Sequence, residues 1–340
     1  MLREPLRAKR SFTVNAVYLQ TNDAEKNEVV AFRRDADGRL SSLGSYATGG
    51  RGTGKPHLPS QNSIVVSGDR LLVVNAGSGD VSLFAIASDG LSLLDRDPSG
   101  GSMPTSLAVG EAKVYVLNAG GQANVSGFTF TDTELKPSGD VRSLPDADPA
   151  QISFTPDGSS LIVTDRATNA LLELPLTGGE PIRHPSSGMT PYGFDFTPDG
   201  TLVVTEAFGG AIGAAAVSSY TAGFQPVSKS VPDTRSEVCW AAVTKDGRYV
   251  FVTNFGDGSI SSYAIRADGS LELVEAVAGS TVLGEKGVRD EALSADGRFL
   301  YALDADARKV FGFAVRDDGQ LDPVGDFGSL PVTAAGLAAV

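Results

Sequence analysis

The chain has 340 residues, 41% hydrophobic and 20% charged, with a net charge of −13. That balance is globular, and its sign argues against nucleic acid and anionic membrane as partners. One cysteine, Cys239, excludes an internal disulfide and a cysteine zinc site; two histidines, His57 and His184, exclude a His-rich metal centre; and no apolar run is long enough to span a membrane.

In chain order, residues 1–13 hold Arg3, Arg7, Lys9 and Arg10 but no apolar stretch, so they read as an N-terminal tail and not as a signal peptide. A soluble, cytoplasmic protein is expected, unless an export segment preceded them. From residue 14 one phrase recurs seven times: an apolar strand ending in a single Asn, Asp or Glu. The polar ends are Asn22, Asn75, Asn118, Asp165, Glu206, Asn254 and Asp304, spaced 53, 43, 47, 41, 48 and 50 residues apart. A period in the forties with several short strands per unit is the pattern of a β-propeller.

Two kinds of turn divide each unit. Asp157-Gly158, Asp199-Gly200, Asp246-Gly247 and Asp296-Gly297 follow first strands, whereas Asp37-Gly38, Asp89-Gly90, Asp268-Gly269 and Asp318-Gly319 follow third strands. Asp-Gly between apolar runs supplies the positive φ that tight hairpins need. Four antiparallel strands per blade result, named a to d from the axis outward, with no helix longer than a turn.

The chain opens with a b strand and ends with an unpartnered a strand, Thr333-Ala334-Ala335-Gly336-Leu337-Ala338-Ala339-Val340. Pairing the two closes the ring without an open edge. The expected fold is therefore all-β, a single seven-bladed propeller over 14–340. Its blades are 14–49 with 332–340, then 61–101, 104–144, 149–188, 190–232, 237–279 and 287–331. The fifth is the least regular, because residues 211–216 contain an alanine run without alternation. Residues 48–62 insert between blades 1 and 2.

Such a ring sends the b–c loops and the d–a connections to one face, where a funnel is the natural site. Asn or Asp at a strand end can simply bond the turn that follows. Glu206 has a longer side chain, poor at capping its own turn, and is the catalytic candidate. Tyr192, Phe208, Trp240 and Phe255 crowd the same region. Trp240 either fills space between blades or meets a ligand, and the same alternatives stand for Tyr192 and Phe255. Were these rings to surround Glu206, desolvation would raise its pKa and suit it to proton transfer. Gln151 enters an inner strand beside them.

The insertion, with Arg51, Lys55 and His57, reads either as a lid over the rim or as a plain loop. It does not meet the phosphate-loop pattern, since Pro56 follows the lysine. His184 reads as a surface residue. No G-x-S-x-G supports a serine triad. No cofactor is expected; a calcium ion on Glu206 and nearby Asn and Asp oxygens is the alternative.

Phe154-Thr155-Pro156-Asp157-Gly158, Phe196-Thr197-Pro198-Asp199-Gly200, Lys245-Asp246-Gly247-Arg248-Tyr249 and Asn254-Phe255-Gly256-Asp257-Gly258-Ser259-Ile260 give the chain a resemblance to the lactonase-type seven-bladed propellers. That family includes bacterial 6-phosphogluconolactonase and the fungal 3-carboxy-cis,cis-muconate lactonizing enzyme. In it, a His-Pro-His segment and two arginines join a glutamate that ends a b strand. Here the first slot reads Asp148-Pro149-Ala150, the arginine slots hold Tyr192 and Phe255, and only Glu206 matches. The resemblance implies a lactonase-like hydrolase or cycloisomerase acting on a small lactone or aromatic-derived acid. Glu206 would be its acid or base, Tyr192, Phe255, Trp240 and Gln151 would hold the substrate, and Lys55 or His57 would close over it. The aromatic slots favour a neutral or aromatic ligand. The alternatives are a non-catalytic propeller binding a small molecule or a protein through the same face, and a calcium-dependent lactonase.

Overall fold

The recurring apolar phrase is a strand covered on both sides. In the computed structural model, which describes residues 14–340 apart from His57 and Ser60, the b strands Ser160–Asp165 and Phe299–Asp304 are buried at every position. Neighbouring blades cover both of their faces, so they read as continuous apolar runs and not as alternating ones. The outer strand Leu135–Ser143 lies on the outside of the ring and is largely exposed. All eight Asp-Gly glycines adopt positive φ, from 67° at Gly158 to 144° at Gly90, as the hairpin geometry requires. The expected tail, residues 1–13, lies outside the described residues.

Seven four-stranded antiparallel sheets form the ring. From blade 1 to blade 7 the inner strands are Ala335–Ala339, Ile64–Ser67, Ser102–Val109, Pro149–Phe154, Pro191–Phe196, Val238–Val243 and Val288–Leu293. Apolar clusters weld each blade to the next, as where Phe251 and Ile260 of blade 6 meet Leu300 and Phe313 of blade 7. The 3-10 turn Phe208–Gly210 is the one helical element among the described residues. It occupies the long b–c loop of blade 5, so the third strand of that blade starts only at Ala216.

The ends interlock as expected. Val17 pairs with Ala339, Tyr18 with Ala338 and Gln20 with Ala335, across a bulge. The Val340 amide donates to the Ala16 carbonyl at 2.8 Å, and the Ala16 amide returns the bond at 3.1 Å. Blade 7 is tied on from the other side: the Tyr301 hydroxyl donates to the Gly38 carbonyl at 2.7 Å, and buried Arg34 pairs with Asp296 at 3.0 Å.

The insertion between blades 1 and 2 is fastened to the rim. The Gly52 and Gly54 amides donate to the Asp23 and Asn22 carbonyls, and the Gly77 amide donates to the Arg51 carbonyl. No Cβ would fit at Gly52, 2.1 Å from the Asn22 backbone, or at Gly77, 1.9 Å from the Gly52 carbonyl oxygen. Leu58 then enters the core between blades 2 and 3. Gln61 goes further: its amide donates to the Ala241 carbonyl at 2.9 Å. Blades 2 and 6 stand on opposite sides of a seven-membered ring, so this side chain bridges the axis.

Candidate functional site

The polar strand ends knit their blades together. Asn75 donates to Asp80 and Ser82 of its c strand and accepts from Asn27 and Thr48 of blade 1. Asn118 and Asn254 reach serines of their c strands in the same way. Glu206 extends the pattern by one methylene. Its Oε1 accepts from the Gly188 amide at 2.7 Å, the Ser218 hydroxyl at 2.7 Å and the Ser186 hydroxyl at 3.3 Å, and Oε2 accepts from Ser230 at 2.6 Å. The carboxylate is fully buried and turned outward into strands c and d of its own blade. The longer side chain thus reaches past its own turn to the outer strand.

A different set of groups faces the neighbouring blades at the rim. Tyr192 opens the inner strand of blade 5 and meets Trp240 of blade 6 edge-on, with centroids 4.8 Å apart. Ala150, Ala207 and Cys239 complete this buried cluster, and Phe255 packs against it. The Trp240 indole N–H donates to the Arg289 carbonyl on blade 7. The structure therefore brings Tyr192, Trp240 and Phe255 together, while the hydrogen bonds that hold the Glu206 carboxylate stay within blade 5 and the loop leading into it.

Two guanidinium groups complete the belt. Arg166 lies 4.9 Å over the Tyr192 ring, donates to its hydroxyl at 3.1 Å and pairs with Asp148 at 2.6 Å. Arg289 lies 5.2 Å over the Phe255 ring and pairs with Asp306 at 2.8 Å. Lys286 also stands over Phe255, at 5.4 Å. The rings that occupy the two arginine slots thus each carry a guanidinium from another blade. The rim thus holds three cations over its aromatic rings, each paired with a carboxylate: Arg166 with Asp148, Arg289 with Asp306 and Lys286 with Glu237. The signal for Arg166 was present, because it directly follows the strand-ending Asp165. Arg289 enters an inner strand, but nothing in its spacing places it beside Phe255.

The remaining candidates have other surroundings. Gln151 is buried, and its amide spans to blade 5, donating to the Phe194 carbonyl at 2.9 Å and accepting from the Phe194 amide at 2.8 Å. Lys55 is exposed on the blade 1 side, its carbonyl held by Asn22 at 3.1 Å. His57 lies outside the described residues. His184 is half-buried, its ring stacked on Phe224 at 4.0 Å with Glu173 at 2.9 Å. Burial pushes the Cys239 thiol up to about 12, so it is a packing group and not a thiolate nucleophile. Among the described residues no three His, Cys, Asp or Glu side chains are placed to hold a metal ion, those around Glu206 included.

Beyond Gln61 the axis opens into a cavity of about 280 Å³, lined by inner strands of five blades. Asp195 of blade 5 and Glu291 of blade 7 face it, with Asp290 buried beside Glu291. Desolvation raises all three pKa values: Asp195 to about 6, and Asp290 and Glu291 well above the usual carboxylate range, the last aided by repulsion from the other two. Between the ordinary and the raised pKa the folded chain holds protons that the unfolded chain has released, so stability falls as pH rises through that window. Replacing Glu291 with leucine is expected to stabilise the ring by about 1–3 kcal/mol at pH 8, with the gain vanishing near pH 4. Urea midpoints of both proteins across that range check it; a gain independent of pH would contradict the assignment.

Comparison with known proteins adds to this geometry. The family model described as lactonase, 7-bladed beta-propeller matches residues 205–334. No curated protein matches the chain. Among solved structures, the periplasmic gluconolactonase of Pseudomonas aeruginosa is 18% identical with a TM-score of 0.74, covering 95% of this chain and 98% of its own. A Bacteroides fragilis protein whose 6-phosphogluconolactonase activity is a candidate assignment is also 18% identical, with a TM-score of 0.72 and coverage of 98% and 100%. The virginiamycin B lyase of Staphylococcus aureus is 14% identical, with a TM-score of 0.61 and coverage of 84% and 89%. These structures share the fold, and the family match covers 130 of the 340 residues.

Proposed function

We propose, on the premise that this chain resembles the lactonase-type seven-bladed propellers, that it is a lactonase-like enzyme whose substrate is a small lactone carrying a carboxylate. The substrate lies across the belt from Tyr192 to Phe255. The observation that carries this reading is the pair of guanidinium groups lying over aromatic rings and each held by a carboxylate, Asp148 or Asp306. A guanidinium fork held in place suits a carboxylate or a developing oxyanion. One guanidinium would hold the carboxylate of the substrate. The other would stabilise the oxyanion formed when water adds to the ring carbonyl, before the ring oxygen leaves. The name of one neighbouring structure, gluconolactonase, is consistent with a lactone as ligand.

Glu206 enters as a positioning residue. It holds Ser186 and Gly188 in the loop that leads into Tyr192. A non-catalytic propeller that binds carboxylates at the same rim is the second reading. It is favoured by the Glu206 carboxylate, which is fully buried and bonded within blade 5 and the loop leading into it.

The test is a panel of lactones and their open-chain acids with Arg166→Leu, Arg289→Leu and the double variant. Each charge-assisted contact is worth about 1.5–3 kcal/mol, so each single change should raise KM or Kd roughly 10–100-fold. Unchanged affinity in the double variant would remove the belt from the site. Thermal stabilisation by the acids with no turnover of any lactone would favour the binding reading.

A further inference from the structure

The axial cavity is a second site, separate from the rim. Its most unusual group is Glu291, 2% exposed, with neither carboxylate oxygen meeting a hydrogen-bond donor. Buried polar groups are nearly always paired, and a buried carboxylate without donors is among the costliest exceptions. Glu291 faces the cavity, so a ligand could supply the donors that the protein lacks. Asp195 adds a second negative charge, but its own oxygens already accept from the Phe196 and Val243 amides, at 2.8 and 2.9 Å. Asp290 has one oxygen bonded to the Glu291 amide and the other unpaired. Gln61 bridges the axis at one end of the cavity. At the other end the walls become partly exposed at Val66, Leu293 and Val340, so the cavity opens on the face opposite the rim.

The walls select the ligand. A divalent cation such as calcium wants six to eight oxygen ligands, and no three acidic side chains here converge on a point. An alkylammonium group brings three N–H donors, two of which can donate to the two unpaired oxygens of Glu291. Ile64, Val66, Leu293, Leu337 and Val340 line the cavity with hydrocarbon, which suits an alkyl chain and repels a hydrated ion. We infer that the axial channel binds a small aliphatic ammonium ion, its charged head on Glu291 and its chain along the aliphatic walls towards the open end.

Butylammonium chloride is the probe, added to the protein at pH 8 against sodium chloride at equal ionic strength. Melting temperature and titration calorimetry are read for the wild type, Glu291→Gln and Glu291→Leu. Saturating probe should raise the wild-type melting temperature by roughly 5 °C and leave both variants within about 1 °C of their sodium chloride values. Leucine in the second variant keeps the site testable should glutamine prevent folding. The Arg166→Leu/Arg289→Leu variant should keep the full shift, which separates this site from the rim. Equal shifts with and without Glu291, or no shift up to 50-fold the concentration that saturates a control ammonium-binding protein, would overturn the assignment. So would stabilisation by calcium chloride alone that Glu291→Gln abolishes, since that outcome describes a metal site.

Discussion

Deleting residues 333–340 is expected to cost the ring its cooperative fold. The closing strand contributes to three separate core clusters: Ala335 between blades 1, 2 and 3, Ala338 between blades 1 and 2, and Leu337 with Ala334 against blade 7. Burying one leucine is worth about 1.5–3 kcal/mol, and each ladder hydrogen bond adds roughly 1 kcal/mol. Losing the strand also bares the length of Ala16–Gln20 as a sheet edge inside the channel. A sum near 5 kcal/mol is a large share of the roughly 5–15 kcal/mol that a typical domain holds. The melting temperature should fall by roughly 7 °C, or the two-state transition should disappear. A synthetic peptide of residues 333–340 added in trans should restore part of the loss, because it can pair with the same edge. A truncated protein that melts within 2 °C of the parent would show that the ring closes without this strand.

The second large effect concerns Glu206. Alanine at this position leaves the Gly188 amide and the hydroxyls of Ser186, Ser218 and Ser230 without their acceptor. Unsatisfied buried donors cost about 1–3 kcal/mol each, with partial relief by rotation of the hydroxyls, so a loss of about 3–4 kcal/mol is expected. Glutamine is a milder change. Its carbonyl can keep the Oε1 bonds, and its amide nitrogen can donate to Ser230, whose hydroxyl turns to accept; about 1 kcal/mol should be lost. Kinetics then separate the two roles of the residue. As a positioning group, Glu206→Gln keeps kcat within about tenfold of the parent, whereas loss of a general base costs roughly 10²–10⁴-fold with KM little changed. Urea denaturation and steady-state rates on the same preparations measure both. A glutamine variant that is fully stable and has lost a thousandfold in kcat would make Glu206 the catalytic base.

The legibility of this chain follows from how local each signal is. Strand, turn and repeat are set by neighbours a few residues apart. Gly158 needs positive φ because of its own hairpin, and Val163 is apolar because its strand is covered on both faces. Those requirements are written seven times, and repetition exposes them. The closing strand was legible for a related reason: a ring of complete blades leaves one missing inner strand at the start and one spare at the end.

The site was only partly readable. Tyr192, Trp240 and Phe255 stood out as aromatic residues at strand ends, and the structure does bring them together. Arg166 and Arg289 could not be placed on those rings from their positions, because each reaches its partner across a blade boundary. Long side chains acting between distant segments have no characteristic spacing. The same is true of Gln61, which crosses the axis to a strand 180 residues away, and of Glu291, which looks like any strand carboxylate until five blades surround it. Local chain chemistry thus determined the strands, the turns and the closed ring. Which guanidinium covers which ring, where the axis is bridged and which carboxylate lacks a donor were decided only by packing, since each depends on the summed placement of blades that the chain itself keeps far apart.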